Sequence, residues 1–220
     1  KTRIMAGDDH TSKQQVIRID REPQVALSAD EEQKIISYLT SVAPQLDALI
    51  VSDYGYNFVT RNMLVFIKNF ARKKIVLVDS RYRMKDFKGV TMVTPNQSEA
   101  EEFTGMEIKD NKALLAAGRK ILKELACKAV LITQGNEGMT LFERGKTPVH
   151  IPICGTDEIA DVTGAGDTVA SLIGLSLGAG ATFLEAARLS NCGASVVVMK
   201  RGTATVTPAE LTQAIKSCRV

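Results

Sequence analysis

The sequence predicts an α/β fold in which a mostly parallel sheet is flanked by helices. Two short segments, ALIVSD (48–53) and KIVLVDS (74–80), are rich in β-branched residues and apolar on both faces, as strands buried inside a parallel sheet are. Segments with the periodicity of amphipathic helices lie between these strands and between the strands that follow them in the chain. Alternation of strand and helix is typical of a parallel sheet, because each crossover helix packs on the sheet whose strands it connects.

The other elements follow from periodicity and from capping or turn residues. QQVIRID (14–20) alternates apolar and polar side chains, as a half-exposed strand does. Ser28 and the acidic residues after it predict the start of a helix that ends near Pro44. Further along, the predicted strands are 90–96, 128–135 and a hairpin over 138–151, and the predicted helices are 59–72, 97–104, 110–126, 165–179, 182–198 and 208–217. No repeat or linker interrupts this order, so residues 1–220 are predicted to form a single domain.

Composition narrows the functional classes. Hydrophobic residues make up 45% of the chain and charged residues 24%, which is ordinary for a globular protein in water. The net charge of +3 is small, and no basic run with interleaved aromatic residues is present, so we expect no nucleic-acid partner. No uncharged apolar run approaches the length of a membrane span, so we expect no membrane partner either.

Cysteine and histidine usage gives two further expectations. The four cysteines lie far apart and form no CxxC pair: Cys127, Cys154, Cys192 and Cys218. This favours buried reduced thiols in a cytoplasmic protein over a metal site or a disulfide framework. The two histidines, His10 and His150, lie in polar or hairpin contexts and are predicted to be surface residues.

The segment DVTGAGDTVAS (161–171) carries the strongest chemical signal. Gly164 and Gly166 permit positive φ angles and close backbone approach, and the helix that follows presents its positive end, so an anion is favoured there. Asp167 lies in the first helical turn, where it could take a proton from a hydroxyl. It could equally stabilise the helix start through its charge. The spacing alone leaves both interpretations open.

Other polar residues lie where strands end, which is where ligands bind in open α/β sheets. Four such places are found: 52–53, 79–81, 94–96 and 133–135. One of them has a purely structural alternative, because Asn96 and Glu99 have the spacing of a capping box. Gly145-Lys146-Thr147 looks like the tail of a Walker A loop, but position 140 is Thr where that loop needs Gly, so a hairpin turn is predicted.

DVTGAGDT resembles the second signature of the ribokinase-like (PfkB) carbohydrate kinases. Three further segments are similar to that family in order and spacing: TPNQSEAEE (94–102) to its Asn-x-x-Glu motif, LITQGNEG (131–138) to its nucleotide strand and loop, and NCGASVVVMKRGTATVTPAEL (191–211) to its C-terminal helix and loop. Within the family, the chain most resembles the heptose 7-phosphate kinases of ADP-heptose (lipopolysaccharide core) synthesis. Five segments carry this resemblance: KTRI, QQVIRIDRE, SDYG, TPNQSEAE and RGTATVTPAEL.

The resemblance implies a three-layer ribokinase-like fold and transfer of the γ-phosphoryl group of ATP to a sugar hydroxyl. Asp167 would be the base that activates the hydroxyl. The backbone amides of Gly164, Ala165 and Gly166 would stabilise the charge that grows on the transferred group. Mg²⁺ would be organised through water by the Asn-x-x-Glu motif, in particular by Asn96 and Glu99.

The resemblance also assigns binding residues. The nucleotide would contact Thr133, Gly135, Asn136, Gly138 and Asn191, the last near the adenine. A monovalent cation such as K⁺ would lie near Asp161, Thr163, Val197, Lys200 and Gly202. Four basic residues could receive the phosphate of a sugar phosphate or be solvated charges: Lys1, Arg3, Arg81 and Arg83.

Two departures from the family limit these expectations. The N-terminal Gly-Gly element and most of the lid strands that cover the sugar have no match, and the chain begins with Lys1 rather than Met, so we expect part of a longer kinase. The HxGH motif of a nucleotidyltransferase domain is also absent. Another ribokinase-like sugar or nucleoside kinase, or a nucleotide-binding fragment without kinase activity, therefore remains an alternative, and a homodimer is expected only of a full-length form.

Overall fold

The computed structural model of the chain describes residues 2–7, 14–22, 25–155 and 161–218. The strands are β1 (Thr2–Ala6), β2 (Gln14–Ile19), β3 (Ala48–Asp53), β4 (Ile75–Ser80), β5 (Met92–Val93), β6 (Ala129–Thr133), β7 (Met139–Glu143) and β8 (Val149–Ile151). The helices are α1 (Ala29–Val42), α2 (Arg61–Ala71), α3 (Gln97–Thr104), α4 (Asn111–Leu125), α5 (Ala165–Gly178), α6 (Phe183–Val198) and α7 (Pro208–Cys218).

Six strands form one sheet in the order β3-β4-β5-β6-β7-β8. Strands β3 to β6 run parallel, and β7 and β8 extend the sheet as an antiparallel hairpin. The register pairs Ser52 with Asp79 and Asp53 with Ser80, so the polar carboxyl ends of β3 and β4 lie side by side. The predicted α/β fold with a mostly parallel sheet is confirmed.

Helices cover both faces of this sheet and give it three layers. Because side chains alternate along a strand, Val76 and Val78 of β4 join the core under α2 and α4, while Leu77 joins the core under α5 and α6. All three side chains are fully buried. This two-sided burial explains why residues 75–78 of β4 are apolar without interruption, before the polar end at Asp79 and Ser80.

Strand β5 is shorter than the predicted strand 90–96. Pro95 has no amide hydrogen and so cannot donate to a ladder. Thr91 adds its side chain to its backbone hydrogen bonds, accepting at Oγ1 from the amide of Val76 at 3.0 Å. The pairing around β5 is therefore shared between backbone and side-chain groups.

Strands β1 and β2 form a separate two-stranded antiparallel sheet. The prediction of β2 is confirmed, whereas β1 was not predicted from the sequence. Ile4, Val16 and Ile17 on this sheet are all more than one third exposed. Because its side chains bury so little apolar surface, β1 lacks the run of apolar residues that identifies a buried strand in a sequence.

Local predictions at helix starts and turns hold. Ser28 caps α1 through a capping box with Glu31. Lys146 lies in the turn between β7 and β8, where its amide donates to the Glu143 carbonyl, so the Walker A resemblance is a hairpin turn. His150 is exposed as predicted, and His10 lies outside the described residues. Among the described helices, none combines the length and the apolar character that a bilayer crossing requires.

The prediction of four reduced thiols is wrong for two of them. Cys154 and Cys218 form a disulfide with their Cα atoms 5.5 Å apart, while Cys127 and Cys192 are free and buried. The two partners are 64 residues apart in the sequence. Only the packing of α7 against α6 brings them together, so spacing in the sequence gave no signal.

The end of α4 generates a stability prediction. Ala126 is exposed at the C-cap with a left-handed backbone, φ +51°, which a Cβ disfavours and glycine tolerates. We expect Ala126→Gly to raise the free energy of unfolding by about 1 kcal/mol, measured by urea denaturation. The control Ala116→Gly, at an exposed position inside α4, should lower it by about the same amount. Equal destabilisation by both changes would contradict this account.

Candidate active site

Two cavities meet at the N-terminus of α5. The larger, of about 340 Å³, lies at the carboxyl ends of β3, β4 and β5. The smaller, of about 180 Å³, lies between the β6–β7 connection and α6. Thr133, Gly166 and Val169 line both of them. The GAGD segment therefore forms the junction between the two spaces.

The backbone conformation at this junction favours binding of an anion. Gly164 is the N-cap of α5 with φ +84°, a left-handed conformation that only glycine adopts freely, and it provides no side chain to cap the helix. A Cβ on Gly166 would meet no protein atom within 4 Å, so this glycine leaves open space beside the helix N-terminus. Amides and dipole together favour negative charge there. Of the three amides expected to act, that of Ala165 donates to the Val162 carbonyl at 3.2 Å.

Asp167 faces the larger cavity from the third residue of α5. Its side chain accepts hydrogen bonds at both oxygens from the hydroxyl of Tyr54, at 3.0 and 3.1 Å. Burial, and next the hydrogen bond to Asp167, raise the pKa of Tyr54 to about 12, so the phenol stays protonated and donates. The carboxylate is thus directed across the cavity toward Tyr54, which favours the chemical interpretation over the capping one.

Carboxylates dominate the larger cavity. Asp53, Asp79, Glu99 and Asp167 line it, and Arg81 is the one basic side chain in its described lining. Burial, followed by the charges of Glu99 and Asp167, raises the pKa of Asp79 to about 7. Burial also raises the pKa of Glu99. Such a concentration of negative charge is costly unless protons or a cation compensate it.

Not all of these carboxylates are available to a ligand. Asp53 is buried and accepts hydrogen bonds from the Gly55 amide at 3.1 Å and from the Ser80 hydroxyl at 2.9 Å. Its oxygens hold the β3 and β4 ends together. Asp79, Glu99 and Asp167 are left as the candidate cation-binding or proton-accepting groups.

Asn96 and Glu99 form the capping box that their spacing allows. The Asn96 side chain accepts from the Glu99 amide, and Glu99 Oε2 accepts from the Asn96 amide, both at 2.9 Å. Both residues also line the larger cavity. The box therefore holds Glu99 at the cavity wall, and the structural and chemical interpretations are compatible.

Thr94 adds a polar group at the same wall. Its Oγ1 is buried and has no hydrogen-bond partner among the described residues. Thr94 lies at the end of β5 and lines the larger cavity. A buried hydroxyl without a partner is costly, so a ligand or a bound water is the natural partner here.

The predicted nucleotide residues gather around the smaller cavity. Thr133, Gly135, Asn136, Gly138 and Asn191 all line it. Asn191 donates through Nδ2 to the Pro152 carbonyl at 2.7 Å and so ties the segment after β8 to α6. The rest of the lining is largely apolar. This surface suits a flat aromatic base next to an anion site.

The residues predicted for a monovalent cation also come together. Asp161 accepts hydrogen bonds from the amide of Thr163 at 2.9 Å and from that of Gly202 at 3.1 Å. The hydrogen bonds from Thr163 are the main cause that lowers the pKa of Asp161. The Lys200 amide donates to the Val197 carbonyl, and its ammonium pairs with Glu210 at 2.7 Å. Binding of a cation there stays a prediction.

The four basic residues that could bind a substrate phosphate differ in their position relative to the larger cavity. Arg81 lines the larger cavity. Arg83 is engaged elsewhere, donating to the Val59 carbonyl at 2.8 Å and pairing with Asp86. The charge of Arg3 helps to lower the pKa of Asp161. Lys1 lies outside the described residues.

The prediction from the sequence missed one residue of the site and gave another no specific role. Tyr54 had no assigned role, although it directly follows the polar end of β3. Asp79 was identified only as a strand-end residue. The raised pKa of Asp79 comes from burial and from Glu99 and Asp167, which lie 20 and 88 positions away. That signal exists only in the folded chain.

Comparisons with known proteins agree with this geometry. The family of "pfkB family carbohydrate kinase" proteins matches residues 8–210. The "Bifunctional protein HldE" of Geobacter sulfurreducens is 41% identical over 214 residues, which cover 96% of this chain and 42% of that protein. The protein with the same description from Desulfatibacillum aliphaticivorans is 40% identical, again with 96% and 42% covered. The chain thus spans about two fifths of the length of these relatives.

Solved structures share the fold. Phosphofructokinase-2 from Escherichia coli, in complex with potassium, superposes with a TM-score of 0.77 at 18% identity, covering 89% of this chain and 64% of that one. Ribokinase of Arabidopsis thaliana, complexed with ribose and ATP, gives 0.71 at 20% identity, covering 89% and 61%. With its fold, its junction of two cavities and its matched sequence, the chain belongs to the pfkB family of carbohydrate kinases.

Proposed function

We propose that the chain is the nucleotide-binding and catalytic part of an ATP-dependent kinase that phosphorylates a sugar hydroxyl. The observation that carries the proposal is the position of Asp167 and the α5 N-terminus between an apolar and an acidic cavity. The apolar cavity suits the base of a nucleotide. The helix N-terminus suits its phosphates, and the acidic cavity suits a hydroxyl acceptor together with a divalent cation.

Asp167 serves as the general base. The acceptor hydroxyl gives its proton to a carboxylate oxygen of Asp167, and its oxygen forms a bond to the γ-phosphorus of ATP. The bond between that phosphorus and the β–γ bridging oxygen breaks, and ADP leaves. The amides of Gly164 and Gly166, at the N-terminus of α5, stabilise the negative charge on the transferred group.

The acidic cavity fits Mg²⁺. Asp79 and Glu99 would supply carboxylate oxygens to the ion, and the hydroxyl of Thr94 is a buried polar group without a partner in the described structure. Hard oxygen ligands and bound water are what Mg²⁺ prefers. When bound, the ion supplies compensation for the phosphate charge that these carboxylates would otherwise repel. The cluster around Asp161 similarly supports, less directly, a monovalent cation such as K⁺.

The substrate is a sugar phosphate, most specifically heptose 7-phosphate, which would be phosphorylated on its anomeric hydroxyl during ADP-heptose synthesis in the cytoplasm. The similarity to HldE proteins supports this choice. Arg81, as the basic side chain in the acidic cavity, is a candidate for the substrate's phosphate. A different ribokinase-like sugar or nucleoside kinase is the alternative, and a fragment that binds nucleotide without turnover is another.

A coupled assay of ADP release against a panel of sugars and sugar phosphates tests the proposal. It is run on the 220-residue chain and on a longer polypeptide that contains it. Turnover that is greatest with heptose 7-phosphate is the expected result. Turnover that is greatest with another sugar would identify that sugar as the substrate instead. ATP binding without turnover in either form would support the alternative of a nucleotide-binding fragment without kinase activity.

Asp167→Asn tests the base. We expect kcat to fall roughly 10²–10⁴-fold, because the amide cannot take the proton, while the Kd for ATP changes little. Asp110→Asn is the control, since it removes a carboxylate that lines neither of these two cavities and keeps a good N-cap for α4. Near-normal kcat in Asp167→Asn would eliminate Asp167 as the base.

Tyr54→Phe tests the orientation of that base. Loss of the hydroxyl removes the hydrogen bonds to both Asp167 oxygens, so we expect kcat to fall by about tenfold with little change in the KM for ATP. Tyr38→Phe, at an exposed site on α1, is the matched control. An unchanged or higher kcat would mean that the Tyr54 hydroxyl does not position Asp167 for catalysis.

Asp79→Asn tests the charge of the acidic cavity through pH. A carboxyl whose folded-state pKa is raised from 3.8 to about 7 stabilises the fold below its unfolded pKa and loses that contribution as pH rises through 7. Without Mg²⁺, the free energy of unfolding of the wild type should therefore fall, relative to Asp79→Asn, by roughly 2–4 kcal/mol between pH 4 and pH 8.

Urea denaturation at both pH values measures this difference, and Glu107→Gln, at an exposed position, is the control. Addition of Mg²⁺ at pH 8 should stabilise the wild type more than the variant. Parallel pH profiles of the wild type and Asp79→Asn would contradict the raised pKa.

A further inference from the structure

Three cysteines meet beside the smaller cavity, although the catalytic proposal uses none of them. Cys154 follows β8, Cys192 lies within α6 and Cys218 is the last residue of α7. Their sulfur atoms all lie within 4.8 Å of one another. Cys154 and Cys192 are buried, and Cys218 is half-buried. Segments 26 to 64 residues apart therefore place three thiol groups at one point.

The chemistry of this cluster favours a disulfide over a metal. Cys154 and Cys218 are bonded with Cα atoms 5.5 Å apart, the usual separation for a disulfide. A structural zinc site needs four ligands, and within the described residues the cluster contains only the three cysteines. Burial raises the pKa of Cys192, which disfavours the thiolate that attacks a disulfide.

The bond links α7, which packs against α6, to the segment that follows β8. Helix α7 has no buried residue among its described side chains. Besides the disulfide, the ion pair between Glu210 and Lys200 links this helix to the segment after α6. Cys154 lines the smaller cavity together with Asn191 and Ser195 of α6. The disulfide thus fastens the last helix to the wall of the apolar cavity.

We infer that Cys154 and Cys218 form a reversible thiol–disulfide site that responds to small-molecule disulfides and controls how firmly α7 and the cavity wall are held. Its co-reactant in the oxidising direction is a small disulfide, R–S–S–R, and in the reducing direction a small thiol. The effect on nucleotide affinity rests on the proposed function, whereas the formation of the bond does not.

The reaction balances as a thiol–disulfide exchange. The more accessible thiol, Cys218, loses its proton and attacks one sulfur of R–S–S–R, which forms a mixed disulfide and releases the first RS⁻. The Cys154 thiolate then attacks the Cys218 sulfur and releases the second RS⁻. The two released thiolates take up the two protons, so two protein thiols are oxidised and one small disulfide is reduced to two thiols.

Thiol counting decides whether the site exists. The 220-residue chain is equilibrated with glutathione disulfide or with dithiothreitol, denatured, labelled with N-ethylmaleimide and weighed by mass spectrometry. With four cysteines and one disulfide, we expect two labels after oxidation and four after reduction. A peptide map should show Cys154 linked to Cys218. Four labels in both samples, or a bond that mainly involves Cys192 or Cys127, would overturn the inference.

The thermal stability of the oxidised and reduced chains measures how firmly the disulfide holds α7. Closing a long loop should make the Tm of the oxidised chain higher by roughly 5–15 °C, and Cys154→Ser and Cys218→Ser should each abolish the difference. Cys127→Ser, a buried cysteine outside the cluster, is the control and should keep it. If a serine variant fails to fold, the oxidised and reduced wild type still provide the comparison. Equal Tm values, or one Zn²⁺ per reduced chain that blocks oxidation, would contradict the inference.

Nucleotide binding separates the two proposals. Reduction should weaken ADP binding about three- to tenfold, by isothermal titration, because a loosened wall must be ordered on binding. Equal ADP affinity in the two forms would overturn control of the cavity wall. Absence of ADP binding in both forms would contradict the proposed kinase instead, and the thiol count would still decide the disulfide.

Discussion

The rest of the site depends on the N-terminus of α5. A left-handed Gly164 without a capping side chain leaves the positive end of the helix open toward both cavities. An anion bound there compensates the helix dipole, and Asp167 is placed beside it by the same first turn. Since the two cavities share this junction, a ligand that occupies both of them passes the N-terminus of α5, where negative charge is favoured.

The acidic cavity shows how sheet topology creates electrostatics. Parallel strands end at one edge, so the residues after β3, β4 and β5 converge although they are distant in the sequence. Burial of Asp79 near Glu99 and Asp167 makes its ionisation costly, which shifts its pKa to about 7. The Asp79 carboxyl is therefore partly protonated near neutral pH.

The loops around the junction are fixed by contacts that no local pattern encodes. Asn191 ties the segment after β8 to α6, Tyr54 orients Asp167, and Cys154 ties the same segment to α7. Each contact joins residues at least 39 positions apart. The wall of the apolar cavity is thus fastened to both α6 and α7, which connects the redox state of the cysteines to that wall.

Much of the protein could be predicted from its sequence. Two-sided apolar strands and capped helices determined the α/β architecture, because burial and backbone capping act on neighbours in the chain. The GAGD segment and the Asn96–Glu99 spacing indicated the site, because an anion-binding helix start and a capping box are local structures. The partner of Asp167, the raised pKa of Asp79, the unsatisfied hydroxyl of Thr94 and the pairing of Cys154 with Cys218 were decided only by tertiary structure. Each depends on distances and burial between distant segments, which folding alone creates.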